Sequence, residues 1–313
     1  MKKTILFALT AMAMTLVLSC GRPASSPVEI ARLDLMLRGD SVPPTSDASD
    51  IAARWFAIAG YGELTDSAVA ARASSRQLEP FYAPLDSVWT AERLAEVEAE
   101  LGRVYDGLRR ELGDTVALPR PIAIVSPFNQ SVIVADSIVF IGLNHYLGAD
   151  FPLYGYFPDW QRRDKRPERL APNVAEAILR SRYPAGEVGN GALPQMLHEG
   201  ALLEVLVRVC GDSALPWTPE QEAFLADNEA RIWEKMLSDR LVFSEDGGVV
   251  RSLLAPGAFS SVIAPEVPAR AGAFIGRSIV RSRLKNHKVS ASEMLSAEWA
   301  NDADALREAD YHP

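Results

Sequence analysis

The sequence predicts a helix-dominated α+β fold with a small sheet near the middle of the chain. Apolar residues recur at three- and four-residue spacing over long segments on both sides of the centre, as in amphipathic helices. Between residues 121 and 143 the chain is instead rich in Val and Ile, which favours strands. The composition, 48% hydrophobic and 23% charged over 313 residues, is that of a globular protein with a sizeable core.

The N-terminus predicts export and lipidation. Lys2 and Lys3 precede an apolar stretch that runs from Thr4 to Leu18, and Cys20 follows a single small residue. The apolar stretch has about 15 residues, fewer than the roughly 20 that span a bilayer as a helix. A charged start, an apolar run and a small residue before cysteine are typical of a lipoprotein signal. We therefore expect Cys20 to become the acylated first residue.

This anchor divides the chain and sets its expected location. We expect a signal peptide over 1–19, a tether over 20–27 and a single α+β domain over 28–313. Diacylglycerol with an N-acyl chain buries far more CH₂ groups than a single, reversibly binding chain, so membrane lipid is the first expected partner. The tether has no acidic cluster, which favours the cell envelope, at the periplasmic face of the outer membrane.

Charge argues against nucleic acid as a partner. The chain has 32 Lys and Arg against 41 Asp and Glu, a net charge of −9. Removal of residues 1–19, with two lysines and no acid, leaves 30 basic against 41 acidic groups, or −11. A nucleic-acid-binding domain needs a basic surface, so we expect no such partner.

Helical patterns dominate the first part of the domain. The clearest covers 90–112, where Thr90 is a candidate N-cap and acidic residues precede Arg109 and Arg110, as suits the helix dipole. Before it we expect a short element at 28–38, a turn-rich segment at 40–50, and helices at about 51–60 and 66–79.

The centre and the C-terminal half follow the same reasoning. We expect strands within 121–127 and 131–143, an aromatic loop over 151–160, and a solvated basic loop over 162–169. A capping box at Thr218 and Gln221 predicts a helix over 219–239. Cys210 is expected to be a buried free thiol. Further helices are expected at about 172–182, 192–210 and 269–285 and from Ser290, and a long connection at 244–268.

Catalytic motifs are incomplete. The four histidines are His145, His198, His287 and His312. His198-Glu199 begins a His-Glu-x-x-His zinc motif, but Leu202 stands at the second ligand position. We therefore expect a solvated His-Glu pair on an amphipathic helix. The sequence contains no Gly-x-Ser-x-Gly elbow, dinucleotide fingerprint or phosphate loop.

A pair of glycines points to close packing. Gly272 and Gly276 lie four residues apart on one face of the helix predicted at 269–285. Glycine lowers helix propensity, so this spacing indicates either a close backbone approach or a ligand at that face. Close packing is the commoner cause.

Several stretches together resemble the gliding-motility-associated lipoprotein GldB family of the Bacteroidetes. With the lipid signal they run through most of the chain in the order and spacing of that family. They are Ser126 to Val132, Phe140 to Gly148, Asn228-Glu229 with Ile232-Trp233, Ala255-Pro256 with Phe259-Ser260, Pro265-Glu266 with Pro268 to Val280, and Ala309 to Pro313.

The resemblance also implies a fold and a lost site. The GldB family is similar to predicted zinc-dependent proteases, whose His-Glu-x-x-His helix is followed by a Glu-Gly-x-Ala segment with the third ligand. On this alignment Ala175 and Leu179 replace both histidines, whereas Glu176 and Glu199 remain. Without the metal, nothing polarises a carbonyl or acidifies water. The resemblance therefore implies a zincin-like scaffold that has lost catalysis.

The resulting hypothesis is a non-catalytic, lipid-anchored envelope protein with no metal or cofactor, which binds a protein partner through a cleft. One alternative is a metallopeptidase in which His198 and Glu199 act with Glu229 or Glu266. The other is a cell-wall or glycan-binding lipoprotein that stacks sugars on Tyr154, Tyr156, Phe157 and Trp160. The candidate cleft residues are Glu176, His198, Glu199, Asn228, Glu229, Glu266 and Arg270.

Overall fold

The computed structural model describes residues 25–40 and 47–313, which form four strands and fifteen α-helices. The strands are β1 (Ala31–Arg32), β2 (Arg120–Ile124), β3 (Val132–Ala135) and β4 (Ile138–Gly142). The helices are α1 (Leu33–Met36), α2 (Ala48–Ala59), α3 (Asp66–Ala73), α4 (Tyr82–Val88), α5 (Ala91–Leu112), α6 (Asp159–Arg162), α7 (Leu170–Arg182), α8 (Ala192–Cys210), α9 (Pro219–Asp227), α10 (Glu229–Ser238), α11 (Gly247–Leu254), α12 (Ala271–Asn286), α13 (Ala291–Met294), α14 (Ala297–Ala300) and α15 (Ala305–Ala309).

Some sequence predictions concern residues that the structure does not describe. The signal peptide over 1–19, Cys20, the tether as far as residue 24, and residues 41–46 of the turn-rich segment lie outside the described residues. Among the described residues, no helix is long and apolar enough to cross a membrane.

The sheet is mixed, and its strand order is β1-β2-β4-β3. β1 and β4 each run parallel to β2, whereas β3 runs antiparallel to β4. In this register Phe140 lies between Ile122 of β2 and Ile133 of β3. The segment predicted as one or two strands over 131–143 forms two, because a turn at Asp136, where φ is 51°, reverses the chain.

Both faces of the sheet are buried. Ile122, Ile124 and Phe140 pack against Trp55 and other residues of α1 and α2 in a small core. The alternate strand residues, such as Ala123, Val139 and Ile141, join the main core, which also contains the buried faces of α5, α7 and α8. Because both faces of the sheet are covered, β2 after Arg120 and the whole of β4 are apolar and do not alternate between apolar and polar residues. The predicted α+β fold with a small sheet is confirmed.

Helix α8 lies at the centre of the helical layer. It contacts α5, α7, α11 and α12, and its most extensive contact is with α12. At that crossing a Cβ atom on Gly276 would lie 1.9 Å from the Met196 carbonyl oxygen, and one on Gly200 would lie 2.3 Å from the Gly276 carbonyl carbon. Gly272, the other glycine of the predicted pair, likewise lies against Leu253. Both glycines therefore pack closely against neighbouring elements, which was the commoner of the two causes considered.

Two predicted helices end earlier than expected. The helix expected over 66–79 stops at Ala73, where Ser74 Oγ donates to the carbonyl of Ala70 within its own turn. The helix expected over 219–239 breaks at Asn228 into α9 and α10. The Asn228 side-chain Nδ2 donates to the Phe224 carbonyl at 2.7 Å and so competes with backbone N–H groups for this helical acceptor.

The connection expected over 244–268 contains a helix. Asp246 caps α11 by accepting hydrogen bonds from the N–H groups of Gly248 and Val249. Two consecutive glycines obscure this helix in the sequence, since glycine has low helix propensity. The remainder of the segment is a loop with an isolated bridge between Phe259 and Pro268.

The domain begins along α5. The N–H of Val28 donates to the Glu98 carbonyl at 2.9 Å. A Cβ atom on Gly102 would lie 2.2 Å from the Ser26 carbonyl oxygen. Residues 26–28 are therefore seated on this helix.

Candidate functional site

Four charged side chains from three helices meet beside α8. Arg180 of α7 donates to both Glu199 oxygens, at 2.6 and 2.8 Å, and to Glu176 one turn earlier at 2.9 Å. Arg270, at the start of α12, donates to Glu199 at 3.1 Å and lies 4.0 Å from Glu176. We call these four residues the arginine–glutamate cluster. Its charges balance, and the Arg180–Glu199 pair has the bidentate geometry that makes such pairs strong.

The arginines determine the charge state of the two carboxylates. Burial raises the pKa of Glu199, but the hydrogen bonds and charge of Arg180, aided by Arg270, outweigh it and lower the pKa to about 2. For Glu176 burial again raises the pKa, and Arg180 and Arg270 bring it below its ordinary value. Both groups are therefore carboxylates at neutral pH, and weak bases.

Arg270 is held in an uncommon backbone conformation. Its φ is 63° and its ψ is 21°, in the left-handed region, and the residue is 8% exposed. A non-glycine residue in this region costs about 1–3 kcal/mol and persists only where its surroundings hold it. Here the ion pair with Glu199 holds the side chain, and Ser260 Oγ accepts from the next N–H group, that of Ala271, at 3.4 Å.

The prediction of a solvated His198-Glu199 pair was wrong. His198 is 1% exposed, and Glu199 is 8% exposed. Helix α8 is enclosed by the helices packed around it, and its residues from Met196 to Leu203 are all buried. Burial lowers the pKa of His198 and keeps the imidazole neutral. Among the described residues neither ring nitrogen has a hydrogen-bond partner.

The residues at this position do not fit a zinc ion. A catalytic zinc site needs three protein ligands, which are chiefly imidazole and carboxylate groups. Ala175 and Leu179, at the two histidine positions implied by the resemblance, are buried and apolar. Glu176 and Glu199 are already bound by guanidinium groups. Within residues 25–40 and 47–313, no group of three or more His, Cys, Asp or Glu side chains is placed to hold a metal.

The other predicted cleft residues lie elsewhere. Asn228 bonds within its own helix turn. Glu229 accepts a hydrogen bond from the Tyr311 hydroxyl at 2.7 Å. Glu266 is half exposed and lies 3.9 Å from Arg231. The structure thus brings Glu176, Glu199 and Arg270 together, and His198 is adjacent to Glu199 in sequence. Asn228, Glu229 and Glu266 are not part of this group.

Two cavities flank the arginine–glutamate cluster. One, which we call the polar cleft, has a volume of about 250 Å³, and Glu176 and Arg270 are in its lining. The other is an open groove of about 580 Å³ that Glu199 lines. Residues 254 and 255 border the groove and residues 256 and 257 border the cleft, so the cluster and this segment lie between them.

The basic stretch over 162–169 is not simply a solvated loop, as the sequence predicted. Lys165 is 3% exposed, and Arg169 is 7% exposed. The Lys165 ammonium lies 2.8 Å from Nδ1 of His145 and 4.1 Å from the centre of the Phe157 ring. Burial lowers the pKa of Lys165 to about 8, and burial with the Lys165 charge lowers that of His145 to about 3.

The aromatic residues considered for sugar stacking do not form one surface. Tyr154 and Phe157 are 2% and 6% exposed and belong to the main core, whereas Tyr156 is 71% exposed. These three border a separate groove of about 340 Å³. Trp160 instead lines the polar cleft.

Cys210 is a free thiol, as the sequence predicted, but the residue is partly exposed and not fully buried. It lies at the end of α8. Burial raises its pKa to about 12. The thiol is therefore inert at neutral pH.

Sequence reasoning missed Arg180 and Lys165. Arg180 stands four residues after Glu176, a spacing that pairs opposite charges on a helix, so the signal for it was present. Lys165 had no such signal, because its partner His145 lies 20 residues away on a different segment.

Fold and site together define a class: a helix-dominated α+β protein with a buried arginine–glutamate cluster between two cavities. A family model described as the gliding motility protein GldB matches residues 54–313, which are 260 of the 313 residues. The chain belongs to this GldB family. No match was found among curated proteins or among solved structures.

Family membership agrees with the resemblance seen in the sequence. Every matching stretch, from Ser126 to Pro313, lies within the matched residues. The family is one of lipoproteins associated with gliding motility, which suggests an envelope protein attached to a membrane.

Proposed function

We propose that this GldB-family protein is a lipid-anchored envelope protein of the outer membrane, facing the periplasm, that binds a partner without catalysing a reaction. On this proposal Cys20 carries the lipid. The folded domain is a zincin-like scaffold whose former catalytic position has become an ion-pair cluster. The polar cleft beside that cluster is the binding site.

One observation carries the proposal: Glu199 and Glu176 are engaged by Arg180 and Arg270. A metallopeptidase glutamate must either ligate zinc or take a proton from the attacking water. A carboxylate with a pKa of about 2 is a poor proton acceptor at neutral pH. Rigid charge pairs instead favour a fixed surface for recognition, since a guanidinium locked by a bidentate contact does not reorganise on binding.

Metal content tests the proposal. The domain from residue 21 onward, purified without chelator, is dialysed against zinc and then against buffer, and its metal is measured by elemental analysis. We expect far less than one zinc per chain. Arg180→Met serves as a comparison, because it frees the two carboxylates of their main partner.

Zinc near one equivalent in the unaltered protein, removed by Glu199→Gln, would contradict the proposal and favour the metallopeptidase. Zinc that Glu199→Gln leaves in place would lie at another site. Hydrolysis of a casein substrate by the zinc-loaded protein, abolished in Glu199→Gln, would likewise count against a non-catalytic role.

A further inference from the structure

The polar cleft contains a cation without a carboxylate partner. The Arg163 guanidinium donates to the Pro216 carbonyl and to Oε1 of Gln221, at 3.3 Å for the latter, and both acceptors are neutral. Among the described residues no carboxylate lies within 4.0 Å of it. The chain as a whole is acidic, with a net charge of −9, so an uncompensated arginine in a cavity is notable.

A second cation in the same lining, Lys165, has no ion pair among the described residues, and the charge of Asp164 only partly offsets the effect of burial on its pKa. The Lys165 ammonium lies against the neutral ring of His145 and the face of Phe157. An ammonium has three donors, and the imidazole accepts one of them. Its charge therefore adds to that of Arg163 in the field of the cleft.

Arg270 adds an unused donor. Its Nε is buried and has no hydrogen-bond partner among the described residues, although its Nη2 is bound to Glu199. A buried donor left without an acceptor is unfavourable, because its lost hydration is not replaced. Arg270 is part of the cleft lining, although its Nε is itself enclosed.

The charge of the lining favours an anionic ligand. The charged residues of the lining are Arg163, Lys165, Arg270, Asp164 and Glu176. Arg270 and Glu176 belong to the balanced arginine–glutamate cluster, and Asp164 lies 3.3 Å from Arg169, which is outside the lining. Arg163 and Lys165 are the cations that remain. These two cations favour an anionic ligand, and a guanidinium binds a carboxylate well. At about 30 Å³ per water, the volume of about 250 Å³ corresponds to roughly eight waters, the size of a small organic molecule.

Neutral groups in the lining suit a polar molecule. Asn129, Asn173 and Gln161 contribute amide side chains, and the Trp160 indole is half-buried beside them. Amides both donate and accept hydrogen bonds, and an indole ring offers a flat apolar face. Such a lining fits a compact ligand with hydroxyl or amide groups.

We propose that the polar cleft binds the carboxylate of a small polar organic acid, with Arg163 as its principal charged contact. This inference rests on the proposed function in treating the cleft as a binding site, and it names the ligand chemistry. A sugar acid and the C-terminal residue of a peptide both present such a carboxylate.

Calorimetric titration of the full-length protein in detergent tests the proposal. The probes are D-glucuronate and N-acetyl-L-alanine, each compared with its uncharged counterpart, the methyl ester and the amide. We expect at least one acid to bind, and its uncharged counterpart to bind at least tenfold more weakly. The acid that binds identifies the source of the carboxylate.

Variants identify the contact. Arg163→Gln is expected to weaken binding of the acid at least tenfold, and Arg163→Lys to recover part of the loss because it restores the charge. Arg182→Gln is the matched control, since it removes the same charge from an exposed position at the end of α7. It is expected to change affinity less than twofold. Thermal unfolding verifies that each variant is folded.

Absence of binding by both acids to the folded protein would overturn the proposal. Tighter binding of inorganic phosphate than of either acid, or equal affinity in Arg163→Gln, would overturn it as well. These failures are distinguishable from failure of the proposed function. Membrane attachment that does not depend on Cys20, or a bound zinc, would contradict that function and leave carboxylate binding intact.

Discussion

Glu199 shows how strongly the surroundings of one residue determine its chemistry. Its sequence context, His198-Glu199 on a helix, suggested a solvated pair, yet the carboxylate is buried against two arginines. Burial alone would raise its pKa, and the guanidinium groups reverse that shift. The same residue type in a zinc peptidase would act as a base, so the arginines separate the two roles.

The lowered pKa of Glu199 predicts a pH-dependent contribution to stability. A carboxyl whose pKa falls from 4.5 unfolded to about 2 folded stabilises the fold above about pH 4.5 and loses this contribution as pH falls towards 2. The full contribution is about 3 kcal/mol, at 1.36 kcal/mol for each unit. We expect the difference in free energy of unfolding between wild type and Glu199→Gln to shrink by about 2 kcal/mol from about pH 6 to about pH 3.

Denaturant unfolding at several pH values measures this difference. Glu266→Gln is the control, because Glu266 is 53% exposed and lies 3.9 Å from Arg231; exposed pairs of this kind contribute little. A difference for Glu199→Gln that stays constant from pH 6 to pH 3 would show that the arginines do not determine the charge of this carboxyl.

At the scale of elements, the crossing of α8 and α12 positions the site. Glu199 and Gly200 are neighbours on α8, and Gly200 and Gly276 allow the two backbones to approach closely. Arg270 stands at the start of α12, so the same crossing that brings the helices together also brings Arg270 to Glu199.

Gly276→Ala is expected to destabilise the protein by about 3 kcal/mol. The new Cβ atom would lie 1.9 Å from the Met196 carbonyl oxygen, and a backbone atom cannot move aside as a flexible side chain does. This clash outweighs the gain in helix propensity of about 1 kcal/mol. Chemical denaturation measures the change.

Gly247→Ala provides the matched control for that prediction. Gly247 is the first residue of α11, and no heavy atom lies within 4 Å of a Cβ built there. We expect no loss of stability, and a small gain from the reduced freedom of the unfolded chain. Equal losses in both variants would mean that the α8–α12 crossing is looser than the structure indicates.

For the whole molecule, the proposed function predicts that attachment to the membrane depends on a lipid at Cys20. The described residues contain no helix able to span a bilayer, and two acyl-type chains or more give stable anchoring. Cys20→Ala is therefore expected to release the protein into the soluble fraction or to leave its signal peptide uncleaved. Cell fractionation and the mass of the mature chain measure both outcomes.

Cys210→Ala is the control for anchoring. The Cys210 thiol is free and has a raised pKa, so this variant is expected to remain in the membrane fraction with normal processing. Normal membrane attachment of Cys20→Ala would rule out the lipid anchor.

The sequence alone determined the features that depend on neighbours along the chain. The α+β class followed from the periodicity of helical segments and the Val- and Ile-rich centre. Helices at 192–210 and from residue 219 were predicted with their first residues. For the second helix the reason is local, because the Thr218 capping box and Pro219 act within one turn. Glu176, Glu199 and Arg270 were named as candidate residues from the family resemblance.

Only the tertiary structure decided which of those residues meet and what charge they carry. Glu199 and Arg270 are 71 positions apart, and no local pattern relates them. The break at Asn228 and the burial of His198 and Lys165 were likewise missed, since a side chain's solvation depends on the elements packed around it. The physical reason is that periodicity and capping are short-range effects, whereas burial and ion pairing arise when distant helices pack.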